Sequence, residues 1–207
     1  DRLTVAGYLQ QHGYRTAAIG KWHLGMNFAA CDHFTEQPGF ADSTGVAYDL
    51  PIKQAPTAYG FDSFFGISAS LDMPPYVYIE NDRFTAMPTR TTEGQGKAFF
   101  RSGVTADDFV HDQVLEVLTH KVLDKISEWK DDPFFIYFPL TAPHTPILPP
   151  KAFQGRSGTN EYGDFVLYCD DLVGRILDRL CQEGLDEDTL VIFTSDNGCS
   201  PMADFAE

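Results

Sequence analysis

A lysine and a histidine lie two positions apart on a glycine-bracketed bend, in the stretch IGKWHLGM at residues 19–26. Lys21 supplies a cation, and His23 supplies an imidazole that changes charge near neutral pH. Together they could hold a small tetrahedral anion through charge-assisted hydrogen bonds. A solvated lysine and a structural histidine are the ordinary alternatives, so an anion site needs further walls from elsewhere in the chain.

Two later turns carry side chains of the required kinds. TAPHTP, residues 141–146, places His144 between two prolines, which suits a preorganised acid or anion donor and equally suits a rigid turn. TSDNG, residues 194–198, sets the Asp196 carboxylate beside the Asn197 amide. This sequence is ordinary turn chemistry, but its oxygen atoms are also the ligands that a hard cation such as calcium prefers.

The segments around these turns alternate between strand-like and helix-like patterns. Short apolar runs predict strands at residues 16–20, 134–140 and 189–194. Apolar residues at helical spacing predict helices at residues 3–12, 109–129 and 164–182. The last two strands and the helix between them form a predicted βαβ unit, so we expect these strands to be parallel neighbours.

Each polar turn follows the carboxyl end of a predicted strand, since Lys21, His144 and Asp196 all lie just beyond one. In an open, mostly parallel sheet those ends share one edge, where ligand crevices form. The sequence therefore predicts an α/β fold, with a mostly parallel central sheet flanked by helices. We expect the three turns to converge on one site.

The stretch from residue 26 to residue 101 is rich in Gly, Pro, Asp and Thr and is predicted to be largely irregular. Within it, SASLDMPPYVYIEND at residues 68–82 could face a substrate, with Asp72 and Tyr76 as candidate contacts. A role in loop packing is the alternative. Outside this stretch, His111 and His120 are interpreted as solvated helix residues.

The charge balance limits the partners of the chain. Fifteen basic against thirty acidic residues give a net charge of −15 over 207 residues, which excludes nucleic acid and an anionic membrane as expected partners. The net negative charge would also repel an anionic substrate at long range. Cationic groups close to the binding site must therefore outweigh this repulsion locally. No apolar run is long enough for membrane insertion, and the length fits one domain.

The four cysteines show neither a C-x-x-C pair nor the ligand spacing of a zinc site. Cys169 and Cys181 lie on one predicted helix about 18 Å apart, beyond the roughly 7 Å Cα separation that a disulfide allows. Both are interpreted as small buried hydrophobic residues. The cysteines leave the redox compartment open.

Four segments, in this order, resemble the sulfatase family of the alkaline phosphatase superfamily. They are GYRTAAIGKWHLG at 13–25, PTAYGFDSFFG at 56–66, FFIYFPLTAPHTP at 134–146 and LVIFTSDNG at 190–198. The resemblance covers most of the chain and implies an alkaline-phosphatase-like fold. It also implies hydrolysis of sulfate esters, on a glycan or an aryl sulfate, and a periplasmic or extracellular location.

The resemblance also implies roles for individual residues. Sulfatases use a formylglycine, made from Cys or Ser, as nucleophile. By resemblance, Lys21 contacts the sulfate and the nucleophile, and His23 hydrogen-bonds the formylglycine and helps to expel sulfate. His144 would donate to the sulfate or to the departing alkoxide, while Asp196 and Asn197 would bind one calcium ion.

Some parts of the family pattern have no counterpart here. No C/S-x-P-x-R segment and no pair of early aspartates precede Lys21, and no second lysine follows SDNG. CSPMA at 199–203 has Ala203 in place of the arginine and lies too late in the chain. Asp62 is predicted to structure a loop rather than to catalyse.

Residues 1–207 are therefore interpreted as part of a sulfatase catalytic domain, with the formylglycine upstream, and the chain alone is expected to be inactive. Two alternatives remain open. A phosphatase or phosphodiesterase of the superfamily would use two zinc ions and a Ser or Thr nucleophile. A non-catalytic relative would bind a sulfated glycan without cleaving it.

Overall fold

A five-stranded sheet forms the centre of the molecule. The structure is a computed structural model that describes residues 2–31, 45–199 and 203, so part of the CSPMA segment lies outside the described residues. Seven strands are present in the described chain: β1 (Arg15–Lys21), β2 (Ser63–Ile67), β3 (Ile79–Glu80), β4 (Arg83–Phe84), β5 (Pro88–Gly94), β6 (Phe100–Ala106) and β7 (Phe134–Tyr137).

The strand order in the central sheet is β4-β3-β2-β1-β7. β1 pairs in parallel with β2 and β7, whereas β3 and β4 add an antiparallel edge beyond β2. β5 and β6 form a separate antiparallel hairpin. The predicted α/β class with a central sheet flanked by helices is confirmed. The sheet is mixed, and its parallel part consists of β2, β1 and β7.

Three helices accompany the sheet: α1 (Val5–Gln11), α2 (Val114–Glu128) and α3 (Glu161–Gln182). The Thr4 side chain caps α1 and the Asn160 side chain caps α3, each accepting from a backbone N–H of the first turn. Glu116 of α2 and Arg175 of α3 form a bidentate ion pair with both distances at 2.8 Å. The three predicted helices are confirmed, with shifted ends.

The predicted strand at residues 189–194 is wrong. This segment has no strand pairing, and Leu190, Ile192 and Phe193 are 85%, 77% and 75% exposed. A strand needs a neighbour for its backbone N–H and C=O groups, and among the described strands β7 pairs only with β1. The predicted βαβ unit is therefore absent from the described residues.

Three smaller predictions also need correction. The stretch from residue 26 to residue 101 contains β2 to β5 and is therefore less irregular than predicted. Cys169 is buried as predicted, but Cys181 is exposed because it faces away from the packed side of α3. His111 is half-buried with its ring stacked on Phe100 at 3.6 Å, whereas His120 is exposed as predicted.

Among the described residues, no helix combines the length and the apolar character needed to span a bilayer.

Two glycines allow the strands around β1 to approach closely. A Cβ at Gly66 would lie 1.9 Å from the Gly20 carbonyl oxygen, and one at Gly20, whose φ is 135°, would lie 2.2 Å from the Pro139 carbonyl oxygen. Since backbone atoms cannot move aside as a flexible side chain can, alanine at either position must displace a strand. The position of Lys21 at the end of β1 depends on this close packing.

We expect Gly66→Ala to lower the free energy of unfolding of the full-length protein by at least about 2 kcal/mol, measured by urea denaturation. Gly174→Ala is the control, because a Cβ there would meet nothing within 4 Å and alanine favours the helix. Equal stability of the two variants would contradict the packing argument.

Candidate active site

Lys21 ends β1 as a half-buried cation. Its backbone N–H donates to the Pro139 carbonyl at 2.9 Å, which ties β1 to the chain that follows β7. Within the described residues its ammonium forms no ion pair with a carboxylate, although the chain carries thirty acidic residues. An unpaired, half-buried ammonium is suited to bind an anion from solution.

Trp22 anchors the bend between Lys21 and His23. It is 8% exposed, packs edge-on against Phe61, and donates from its indole N–H to the Gly25 carbonyl at 3.1 Å. His23 then adopts a left-handed backbone with φ of 48°. The buried Trp22 indole and the left-handed backbone of His23 fix the course of the chain at this bend. Lys21 and His23 therefore lie on either side of a rigidly held residue.

In the His144 ring, Nδ1 is held by hydrogen bonds, whereas Nε2 has no hydrogen-bond partner among the described residues. Its Nδ1 lies 2.7 Å from the Thr145 carbonyl oxygen and 3.3 Å from Ser70 Oγ. Because a carbonyl only accepts, Nδ1 carries the proton in this contact. Nε2 is therefore an acceptor when the ring is neutral and a donor when the ring is protonated.

Three hydrogen bonds join the loops that follow β1, β2 and β7. They run from Lys21 N to Pro139 O at 2.9 Å, from His23 N to Ser68 O at 3.1 Å, and between Ser70 Oγ and His144 Nδ1 at 3.3 Å. All three strands are parallel, so the loops meet at their shared carboxyl edge. The structure thus brings together loops more than a hundred residues apart in sequence.

The electrostatics of His23 show that four groups share this edge. Partial desolvation lowers the pKa of His23, and the Lys21 ammonium lowers it further. The Asp72 carboxylate acts in the opposite direction, and His144 adds a smaller lowering effect. His23 is therefore neutral at pH 7 and can accept a proton. The structure brings Lys21, His23, Asp72 and His144 together, while their roles remain predictions.

Asp72 is 8% exposed and pairs with Arg101, whose Nη1 donates to Asp72 Oδ2 at 2.8 Å. Its other oxygen, Oδ1, has no hydrogen-bond partner among the described residues. Tyr76, the other candidate contact, is buried at 1% exposure and donates to the Arg101 carbonyl at 2.6 Å. The burial of Tyr76 therefore favours the loop-packing role over a substrate contact for this residue.

Sequence reasoning did not find Ser70 or Arg101. Ser70 lies within the 68–82 segment but is an ordinary loop residue by type, and Arg101 lies in β6 with no motif around it. The signal that could have pointed to Ser70 is its place three residues after the end of β2. For Arg101 the sequence offers none, since only the fold brings it to Asp72.

Asp196 and Asn197 are not joined to this cluster by any hydrogen bond or ion pair in the part of the chain that the structure describes. Both residues are exposed and follow the segment at 189–194, which forms no strand. No group of three or more His, Cys, Asp or Glu side chains suited to a metal ion occurs among the described residues. The structure therefore leaves their convergence with Lys21 and His144 as a prediction.

Asp62 has the structural role that the sequence predicts. Its Oδ2 accepts from the Thr16 backbone N–H at 2.8 Å and from the Thr16 hydroxyl at 3.1 Å. Burial acts to raise the pKa of Asp62, but the hydrogen bond from the Gln10 side chain, the two from Thr16 and the positive charge of Arg15 together hold it below its ordinary value. The ionised carboxylate fixes the start of β1, at the opposite end from Lys21.

Comparison with known proteins identifies the family of the chain. The family model described as Sulfatase matches residues 1–204. The chain is 26% identical to N-acetylgalactosamine-6-O-sulfatase of Bacteroides thetaiotaomicron, with 95% of this chain and 42% of that protein covered. It is 30% identical to human arylsulfatase H, with 96% and 41% covered.

A solved structure described under the metabolism of multiple glycosaminoglycans by Bacteroides thetaiotaomicron has a TM-score of 0.76 at 26% identity. It covers 95% of this chain and 45% of its own. The chain thus spans less than half the length of these relatives. Since the family model covers nearly all of the chain and the folds agree, the chain belongs to the sulfatase family.

Proposed function

We propose that the protein containing this chain hydrolyses sulfate esters, and that residues 1–207 form part of its catalytic domain. The observation that carries the proposal is the hydrogen-bonded convergence of the loops after β1, β2 and β7. It supports a site in which Lys21, whose ammonium has no carboxylate partner among the described residues, acts together with the imidazoles of His23 and His144. Family membership supports the same reaction.

Lys21, His23 and His144 would have different roles in the reaction, set by the charge and protonation of each side chain. Lys21 binds the sulfate oxygens and offsets the negative charge of the transition state. His23, neutral at pH 7 because its pKa is lowered, accepts a proton during the release of sulfate. His144 is held through Nδ1, so Nε2 is the nitrogen that would donate to the departing alkoxide or to the sulfate.

Two groups on which sulfatase catalysis depends, the formylglycine and the calcium ion, are not among the contacts described above. A formylglycine supplies the nucleophile in this family, and a calcium ion adds positive charge to the sulfate oxygens. Asp196 and Asn197 fit calcium by donor type, because both offer hard oxygen atoms and both are exposed. Calcium takes six to eight oxygen ligands, so these residues would supply only part of its shell.

The experiment is turnover by the purified full-length protein of an aryl sulfate, a sulfated glycan and the matching aryl phosphate. We expect sulfate release, with calcium as the bound metal and loss of activity after chelation. Release of phosphate alone with two bound zinc ions would support the phosphatase alternative. Tight binding of the sulfated glycan without turnover of any ester would support the non-catalytic alternative.

The pH profile provides a separate prediction for His23. Because desolvation and Lys21 lower its pKa below the ordinary 6.5, its charged form predominates only at pH values below 6.5. If neutral His23 accepts a proton, kcat/KM falls on the acid side below pH 6.5 and is maintained between that point and neutrality. We expect His23→Ala to remove this acid limb as well as to lower the plateau, as measured by kcat/KM from pH 4.5 to 7.5. Retention of the acid limb in the variant would contradict the assignment.

A further inference from the structure

Arg101 lies beside the proposed sulfate site, although it belongs to the β5–β6 hairpin and not to the central sheet. Its Nη1 donates to Asp72 Oδ2 at 2.8 Å, and Asp72 is one of the charges that act on His23. The Arg101 guanidinium is therefore linked, through its ion pair with Asp72, to the group of Lys21, His23 and His144.

The backbone around Arg101 is fixed to both neighbouring loops. Its N–H donates to the Asp72 carbonyl at 3.0 Å, and its own carbonyl accepts from the Tyr76 hydroxyl at 2.6 Å. At the tip of the same hairpin, the Lys97 carbonyl accepts from the Ile147 N–H at 2.9 Å, three residues beyond His144. The hairpin thus has a set position relative to the loops that carry Asp72 and His144.

The Arg101 side chain combines this fixed position with unused donors. It is 41% exposed, whereas the Asp72 side chain is 11% exposed. Every hydrogen bond of the guanidinium to a described residue uses Nη1, which leaves the N–H groups of Nη2 and Nε available. Asp72 thus fixes the orientation of the guanidinium through Nη1 and leaves the Nη2 and Nε donors for other acceptors.

Stability alone is a weak reason for such a pair. A buried carboxylate loses hydration, and here Oδ1 has no hydrogen-bond partner among the described residues. A pair of this kind contributes little to folding compared with apolar packing. Holding a guanidinium in one orientation beside a binding site accounts better for its presence.

We propose that Arg101 determines substrate specificity, by donating hydrogen bonds to hydroxyl oxygens of the sugar ring that carries the sulfate. Asp72 acts as its positioning residue. The proposal rests on the proposed function. Because Asp72 neutralises Arg101, the pair favours uncharged oxygen acceptors over a second anion. An aryl sulfate has no ring hydroxyl to occupy these donors, so the pair separates sulfated sugars from aryl sulfates.

The test compares two substrates in the full-length protein, 4-nitrophenyl sulfate and the most rapidly hydrolysed member of a panel of monosaccharide sulfates. For Arg101→Ala we expect kcat/KM on the sugar to fall about 10- to 100-fold, mainly through KM, with less than about 3-fold change on the aryl sulfate. Asp72→Asn should shift the same ratio in the same direction. Arg83→Ala is the matched control, since Arg83 is an exposed arginine on β4.

The outcomes separate this inference from the proposed function. A wild-type protein that hydrolyses neither kind of sulfate ester would contradict the proposed function itself. If the wild-type protein is active, an equal loss on both substrates, or no loss on either, overturns the role of Arg101. Wild-type activity restricted to aryl sulfates would overturn it as well.

Discussion

Lys21→Ala is expected to lower kcat/KM of the full-length protein for a sulfate ester by about 100- to 1,000-fold. The ammonium is half-buried at the end of β1 and has no carboxylate partner in the described residues. Its positive charge is therefore available to the sulfate, because no ion pair with a described carboxylate neutralises it. In a chain of net charge −15, removing this local cation also exposes the substrate to the repulsion of the rest of the protein.

Two controls identify the cause of that loss. Lys53→Ala removes an exposed lysine elsewhere and should change kcat/KM by less than about 2-fold, since a distant surface charge acts weakly through screened solvent. The free energy of unfolding of Lys21→Ala should match that of the wild-type protein, because the side chain forms no described ion pair. Activity close to wild type in Lys21→Ala would remove Lys21 from the site.

His144→Asn is expected to lower kcat by about 100- to 10,000-fold. The asparagine amide can still donate to the Thr145 carbonyl in place of Nδ1, but it has no group at the position of Nε2. The variant thus separates the structural contact from the proposed proton donor. Initial-rate measurements on an aryl sulfate provide the comparison.

His120→Ala, on the exposed face of α2, is the control and should keep wild-type kcat. A His144→Asn variant with wild-type kcat would exclude His144 as the donor.

The parts of the site that the sequence predicted share one physical origin. Lys21 ends β1 and His144 lies in the loop after β7, and parallel strands bring such positions to one edge whatever their separation in the chain. Gly20 and Gly66 agree with this, because only glycine permits the close approach of β1 to its neighbours. Local sequence thus contains enough information to locate these two residues.

The sequence could not indicate contacts that depend on the packing of whole elements. Arg101 reaches Asp72 because the β5–β6 hairpin folds against the loop after β2, and no local pattern encodes that approach. His111 is half-buried for the same reason, under Phe100 of the hairpin. The apolar run at 189–194 has strand-like composition, but composition alone does not provide a neighbouring strand, and the segment is exposed.

The central claim is that the loops after β1 and β7 bind one oxyanion. A crystal structure of the full-length protein with inorganic sulfate tests it most directly. We predict a single sulfate with Lys21 Nζ and His144 Nε2 both at hydrogen-bond distance, about 3 Å, from its oxygen atoms. A sulfate bound at another edge of the sheet, or one contacted by neither side chain, would contradict the account.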